Sequence, residues 1–426
     1  MGIVLPLSIV VLVALSLPIA AVLGASALII GSSSTLSLMP ALGDVAWSAS
    51  SEFLLIAIPL FILLGEIVLR SGLATRMYHG LAAWVSWLPG GLMHSNVAAC
   101  AMFAATAGSS IATAATVGTV ALPEARRYRY NERLFLGTIA AGGTLGILIP
   151  PSVTLIIYAV LTNTSVPQLY LAGIVPGLAL ATLFMTCVAV VCLFRPSYGG
   201  ERQPISWAER VRRLPDLLPP IFLFGLVVGS IYAGFASPTE AAALGVAGAI
   251  LLGMAFGNLT VRTLFEAIDA SIKTSSMIML IVIAAYFLNF AMSTAGVISA
   301  IETVIGDFSL SPMMLLFAVV VLFLLLGCIM ESLSLTVMIV PIVAPLMFAA
   351  GFDQVWFGIL VVVLIELGMI TPPIGLNLFV VQNLRGKGPF MDVITGSLPF
   401  VVIMLLFILL LIVFPGMALW LPSLFY

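Results

Sequence analysis

The sequence predicts an all-α polytopic membrane protein, an inverted repeat with two re-entrant helical hairpins and two broken helices. Three observations predict it. The chain's 426 residues are 62% hydrophobic and 8% charged, whereas a soluble chain carries about a quarter of its residues as charged side chains. The surplus apolar residues must face lipid. All fifteen basic residues fall in segments that one topology puts on a single side of the membrane. Finally, a shift of 222 residues lays prolines and glycines of the first half on those of the second.

A spanning helix needs about 20 mostly apolar residues. Spans are expected near 3–16, 18–31, 53–69, 133–160, 170–194, 217–234, 239–256, 275–292, 354–381 and 394–421. Two further apolar stretches, 91–123 and 312–349, are interrupted by AGSSIATAAT and GCIMESLS, and each reads as a hairpin that returns to the side it entered from. Stretches 72–88 and 257–274 mix Leu or aromatic residues with scattered charge, the pattern of helices lying in the interface.

With both termini outside, Arg70, Arg76, Arg126, Arg127, Arg129, Arg133, the loop from Arg195 to Arg213, Arg262, Lys273, Arg385 and Lys387 are cytoplasmic. The outer loops then carry only acids such as Asp44, Glu52, Glu302, Asp307 and Asp353. Reading either hairpin as a single span would scatter the basic residues over both sides. The N-terminal apolar stretch lacks a preceding Lys or Arg and a cleavage site, which argues against a signal peptide.

The 222-residue shift pairs Ser110 with Ser332, Pro123 with Pro345, Phe135 with Phe357, Leu145 with Leu367, Gly146 with Gly368, and Pro150-Pro151 with Pro372-Pro373. Each half holds five spans and a hairpin, so an odd span count inverts the second half. Residues 1–194 form the first repeat, 195–216 a cytoplasmic linker and 217–426 the second. Both Pro-Pro pairs fall inside long spans, where proline removes a backbone donor. The carbonyls of Gly146, Ile147, Gly368 and Met369 are expected to be left open, which hydrocarbon tolerates only beside a polar cavity or an ion.

Several function classes are excluded. A net charge of -2 leaves no cationic face for nucleic acid. No phosphate loop or dinucleotide motif occurs, so neither an ATP-driven pump nor an organic cofactor is expected. No paired Asp, or Ser with His, lies within the spans to make an intramembrane enzyme. Cys100, Cys187, Cys192 and Cys328 lie in or beside apolar runs without metal spacing and read as packing residues.

The segments GSSIATAATVG (108–118), GGTLGILIPPSVTLIIY (142–158), LYLAGIVPG (169–177), ASPTEAAA (236–243) and GMITPPIGLNLFV (368–380) together resemble the large membrane (M) subunit of tripartite ATP-independent periplasmic (TRAP) transporters, DctM-like. PLFILLGEIVLRSG (59–72) and LPGGLMHSN (88–96) extend the resemblance over nearly the whole chain. It implies an elevator-type fold of the ion transporter superfamily. Sodium-coupled import of a small organic acid, such as a C4-dicarboxylate or sialic acid, across a bacterial inner membrane is implied too. So are a separate four-helix membrane subunit (Q) and a periplasmic substrate-binding protein (P), with lipid around the spans. A stand-alone proton-coupled or exchanging carboxylate carrier is the alternative.

For two or more sodium ions, the candidate oxygens come from Ser109 and Ser110 with Gly146 beside Pro150, and from Gly327, Glu331, Ser332, Gly368 and Thr371, with Thr336 nearby. Glu331 stands where the family commonly carries Asp. Because no span core holds Lys or Arg, a carboxylate substrate is expected at helix N-termini with Ser110, Pro151, Ser152, Thr154, Ser332, Pro373 and Asn377. Glu66 reads as solvated or paired with Arg70, Glu366 has no assigned role, and His79 and His94 read as interfacial anchors.

Overall fold

The computed structural model describes residues 8–9, 11–12, 15–32, 39–201, 205–297 and 311–426. The expected span 3–16 and the outer-loop acids Glu302 and Asp307 therefore lie largely or wholly outside the described residues. Every regular element among those described is helical.

The helices are α1 (Ile19–Ser32), α2 (Met39–Ser50), α3 (Ala57–Arg70), α4 (Leu73–Val85), α5 (Leu92–Ala107), α6 (Ser110–Arg127), α7 (Glu132–Thr144), α8 (Val153–Thr162) and α9 (Val166–Phe194). A linker helix, α10 (Trp207–Arg212), leads to α11 (Leu218–Tyr232), α12 (Pro238–Ala255) and α13 (Val261–Thr294). The chain ends with α14 (Pro312–Gly327), α15 (Ser332–Ala349), α16 (Gln354–Met369), α17 (Leu376–Arg385), α18 (Phe390–Val413) and α19 (Gly416–Leu419).

Local chemistry sets the boundaries. Ser109, Asn131, Ser152, Ser165 and Asp353 each cap the helix that follows by accepting a backbone N–H. Ser237 and Glu240 close a reciprocal capping box at α12. Among the described residues seven helices are long and apolar enough to cross a membrane. The other predicted spans are short or broken, because the two Pro-Pro segments divide theirs into α7 with α8 and α16 with α17.

Four expectations need correction. Residues 257–274 are not a separate interfacial helix, because α13 runs unbroken for 34 residues, about 51 Å at 1.5 Å per residue. It outreaches the hydrocarbon, and its Arg262, Glu266, Asp269 and Lys273 pair along the protruding turns. The last span stops at Val413 rather than 421, since Pro415 follows. Residues 39–50 form a helix where the sequence suggested a loop. His94 does not present its ring at the surface as an anchor would: it is buried, and its ring Nε2 lies 2.7 Å from the Pro89 carbonyl oxygen.

The helices pack in two groups. In one, α13 lies against α1, α2 and α3, with α12 between α3 and α11. In the other, α5 to α9 pack with α14 to α18. Its tightest crossing is Gly137 on Gly396, where a Cβ on Gly137 would sit 2.0 Å from the Gly396 carbonyl oxygen. The two groups touch where Gly65 of α3 meets the Ala107 backbone. Helix α4 buries Leu73, Met77 and Tyr78 and is tied to the linker by Arg76, which binds Asp216 at 2.9 Å and the Phe256 carbonyl.

Candidate functional site

The first break meets the first hairpin tip. After α7 and a single 3-10 turn, the Ile149 amide makes the last helical bond, to the Leu145 carbonyl at 3.1 Å; residues 150–152 leave helical pairing around the cis Pro150-Pro151 bond, and α8 starts at Val153. Gly108 turns the tip with φ +58, and its side-chain position faces the Pro151 carbonyl oxygen at 3.0 Å. Gly146 lies against the same tip: a Cβ there would be 2.6 Å from the Ser109 carbonyl oxygen and 2.7 Å from Thr113 Oγ1.

The second break repeats these relations with different chemistry. Gly368 rests on Gly327, where a Cβ would lie 2.5 Å from the Gly327 carbonyl carbon. The Gly375 amide donates to the Cys328 carbonyl at 3.0 Å, joining the break to the second hairpin. At that tip Glu331 caps α15, accepting the Leu333 and Ser334 amides at 3.0 and 3.1 Å while Ser332 donates to its other oxygen at 2.9 Å. The protein's own carboxylate thus holds the N-terminal slot of α15 that a substrate carboxylate was expected to use.

Not all of the expected open carbonyls are open. Ser152 donates to the Ile147 oxygen at 2.6 Å, and the Thr371 amide donates to Gly368 at 3.1 Å. Thr371 and Thr336 turn their hydroxyls onto Leu367 and Ser332 of their own chain turns. Short hydroxyl side chains can reach back where a proline removes the normal donor.

A cavity of about 300 Å³ lies where both tips and the first break converge. Of the expected substrate residues its wall takes Thr154 and Ser332, and of the cation candidates Ser109, Glu331 and Ser332. Ser110, Pro151, Ser152, Pro373 and Asn377 lie outside that wall. Asn377 instead crosses between the halves, donating to Ser110 Oγ at 2.8 Å and the Ala140 carbonyl at 3.2 Å. From α3 and α13 the wall also takes Gly65, Glu66 and Thr274; Glu66, singled out in the sequence as an acid within a span, does pair with Arg70 at 2.8 Å.

Two of the buried polar groups that lack a protein partner among the described residues bear on the site and its repeat. Thr154 Oγ1, on the first turn of α8 in the cavity wall, is buried and unpaired. Glu366, repeat mate of Thr144, is wholly buried with neither oxygen bonded. Sequence reasoning missed a further cluster. Arg385, 6% exposed, grips Glu132 through two bonds of 2.8 and 2.9 Å and Asp392 at 2.9 Å. Arg126 joins through the Arg385 carbonyl and Arg133 through Asp392. Glu132 keeps the Arg385 guanidinium even more firmly protonated than usual. The cluster ties the basic ends of α6, α7, α17 and α18 together.

The family model for the "Tripartite ATP-independent periplasmic transporter, DctM component" matches residues 7–417. The chain belongs to the DctM family. The C4-dicarboxylate TRAP transporter large permease protein DctM of Pseudomonas aeruginosa is 34% identical, over 88% of each chain. The sialic acid TRAP transporter large permease protein SiaM of Vibrio cholerae is 31% identical over 88% of this chain and 87% of its own. The ectoine TRAP transporter large permease protein TeaC of Halomonas elongata is 32% identical over 87% and 86%. In fold, this DctM-family chain is similar to the Alcanivorax borkumensis YdaH transporter, with a TM-score of 0.67, 15% identity, and 93% and 97% of the two chains covered. With seven long apolar helices among the described residues, it is an integral membrane protein of a transport permease family.

Proposed function

We propose that this chain imports a small carboxylate, coupled to sodium, by moving the group α5 to α9 with α14 to α18 against the group α1 to α3 with α11 to α13. The observation carrying this reading is the cavity between both hairpin tips and α8. There the unpaired Thr154 hydroxyl and the first amides of α8 offer donors to an anion inside a low-dielectric wall. The relatives' printed cargoes, C4-dicarboxylate, sialic acid and ectoine, support a carboxylate-bearing cargo.

Sodium, a hard cation, takes oxygen ligands such as carbonyls and hydroxyls. The first site would use Ser109 and Ser110 oxygens beside Gly146, and the second Gly327, Glu331, Ser332, Gly368 and Thr371. The fit rests on Gly146 and Gly368, whose missing side chains let a hairpin carbonyl approach the break. The two Pro-Pro breaks, at Pro150 and Pro373, keep the surrounding backbone from pairing as helix. A four-helix membrane subunit and a periplasmic binding protein complete the system in the inner membrane, with 1–194 and 217–426 as inverted repeats and both termini periplasmic.

Initial uptake of labelled succinate, sialic acid and ectoine into liposomes tests the reading, with the chain alone or joined by the small subunit and binding proteins. Uptake that needs a sodium gradient and the added subunits is expected. Sodium-independent uptake, or full uptake by the chain alone, overturns it. A cysteine at position 425 should react with an impermeant reagent from outside; protection would reverse the topology.

A further inference from the structure

We propose that the face of α6 from Ser109 to Thr119 is the route by which cargo leaves the central cavity toward the arginine-bearing end of α6, with Leu69 as its valve. This rests on the transport reading above. It adds the exit.

A second cavity of about 310 Å³ is lined by Leu69, Ala74, Thr75, Ala115, Thr116, Thr119 and Val120. Leu69 also lines the central cavity, so one side chain of α3 stands in the wall of both. Opposite it, α6 gives Ser109, Ile111 and Ala112 to the central cavity and Ala115, Thr116 and Thr119 to the second. Steps of three and four residues keep Ser109, Ala112, Ala115, Thr116 and Thr119 on one helical face. Along it Ser109, Ala112 and Ala115 are half-buried, Thr116 is buried, and Thr119 is exposed, toward the turn bearing Arg126 and Arg127.

The polar chemistry also changes along this face. Thr154, in the central wall, has a buried hydroxyl with no protein partner and can donate to a carboxylate. Below it, Thr116 donates to the Ala112 carbonyl at 2.7 Å and Thr119 to Ala115 at 2.8 Å. Their only protons are engaged, so of the three threonine hydroxyls in the lower wall only that of Thr75, exposed in the first turn of α4, is left to donate. Neither wall contains Lys, Arg or His. Glu66, which would repel a departing carboxylate, is countered by Arg70 at 2.8 Å, and Arg70 also lies 3.8 Å from Glu266. The lower wall carries no charged side chain and one exposed hydroxyl donor, a weaker grip on an anion than the buried Thr154 hydroxyl with the first amides of α8, as release requires.

The test reads accessibility and needs no cargo. In a background with Cys100, Cys187, Cys192 and Cys328 replaced by serine or alanine, Ala112→Cys and Thr119→Cys are introduced singly into the full chain. They are exposed in inside-out and right-side-out vesicles to a charged methanethiosulfonate. Both should label from the cytoplasmic face, Thr119→Cys faster. Adding Leu69→Trp should slow labelling of Ala112→Cys by about tenfold and leave Thr119→Cys unchanged. If Leu69→Trp does not reach the membrane, Ala115→Trp closes the same constriction from the other wall. Labelling of Thr119→Cys only from the periplasmic face, an unlabelled Ala112→Cys, or equal labelling of Ala112→Cys with and without the tryptophan overturns the route. The transport reading fails separately, if the liposome experiment finds no sodium-driven carboxylate uptake.

Discussion

Gly368→Ala should raise the sodium requirement without unfolding the protein. An alanine Cβ at 368 would lie 2.5 Å from the Gly327 carbonyl carbon, 2.6 Å from its Cα and 2.8 Å from its oxygen. Nonbonded carbons rest about 3.5 to 4.0 Å apart, so α14 must retreat by about 1 Å. Backbone lies on both sides, so no side-chain rotation can absorb the overlap. Overpacking of this kind costs about 1 to 3 kcal/mol. If that strain falls on the ion-bound state, the sodium concentration for half-maximal effect should rise about tenfold, equivalent to about 1.4 kcal/mol. The assay is the sodium-dependent rise in Tm of the purified chain, with uptake against sodium as a second readout. Ligand-linked stabilisation follows the ratio of sodium to its dissociation constant, so the curve should shift along the concentration axis. A Tm lowered equally at every sodium concentration would mean that Gly368 matters for packing alone. The second cation site would then have to be given up.

Asn377→Ala removes the amide that binds Ser110 and Ala140, and Tm should fall by the equivalent of about 1 to 3 kcal/mol; an unchanged Tm would show that the cross-repeat bond is replaceable. Arg385→Gln leaves Glu132 without its cation and Asp392 with Arg133 alone; Tm should drop, with Arg385→Lys recovering only part because a lysine cannot grip Glu132 through two bonds. Full recovery by lysine would reduce the cluster to simple charge balance. Glu366 has no partner for an ionised carboxylate, and burying one unpaired is prohibitive, so Glu366→Gln should leave uptake within about twofold of the parent. A loss of more than about tenfold would mean that the acidic proton or the charge is used.

The sequence by itself determined that the chain lives in a membrane, where most of its described helices are, and where two of the expected spans break. Composition settles the first, because apolar surplus has no place in water. The prolines at 150, 151, 372 and 373 settle the breaks, because a missing backbone donor is a local property that neighbours cannot restore. The turns at Ser109 and Glu331 were legible for a similar reason, since each residue caps the helix that follows it locally. Only the tertiary structure decided which oxygens are free. Whether the Ile147 carbonyl stays open depends on the Ser152 rotamer, and whether Asn377 lines the cavity depends on Ser110, 267 residues away in sequence. The cavity wall likewise joins Gly65, Thr154, Thr274 and Ser332 from distant segments. Arg385 was counted among loop charges, yet it lies buried between Glu132 and Asp392. Hydropathy and spacing report what each residue wants, but which partner satisfies it is set by long-range packing that no local pattern contains.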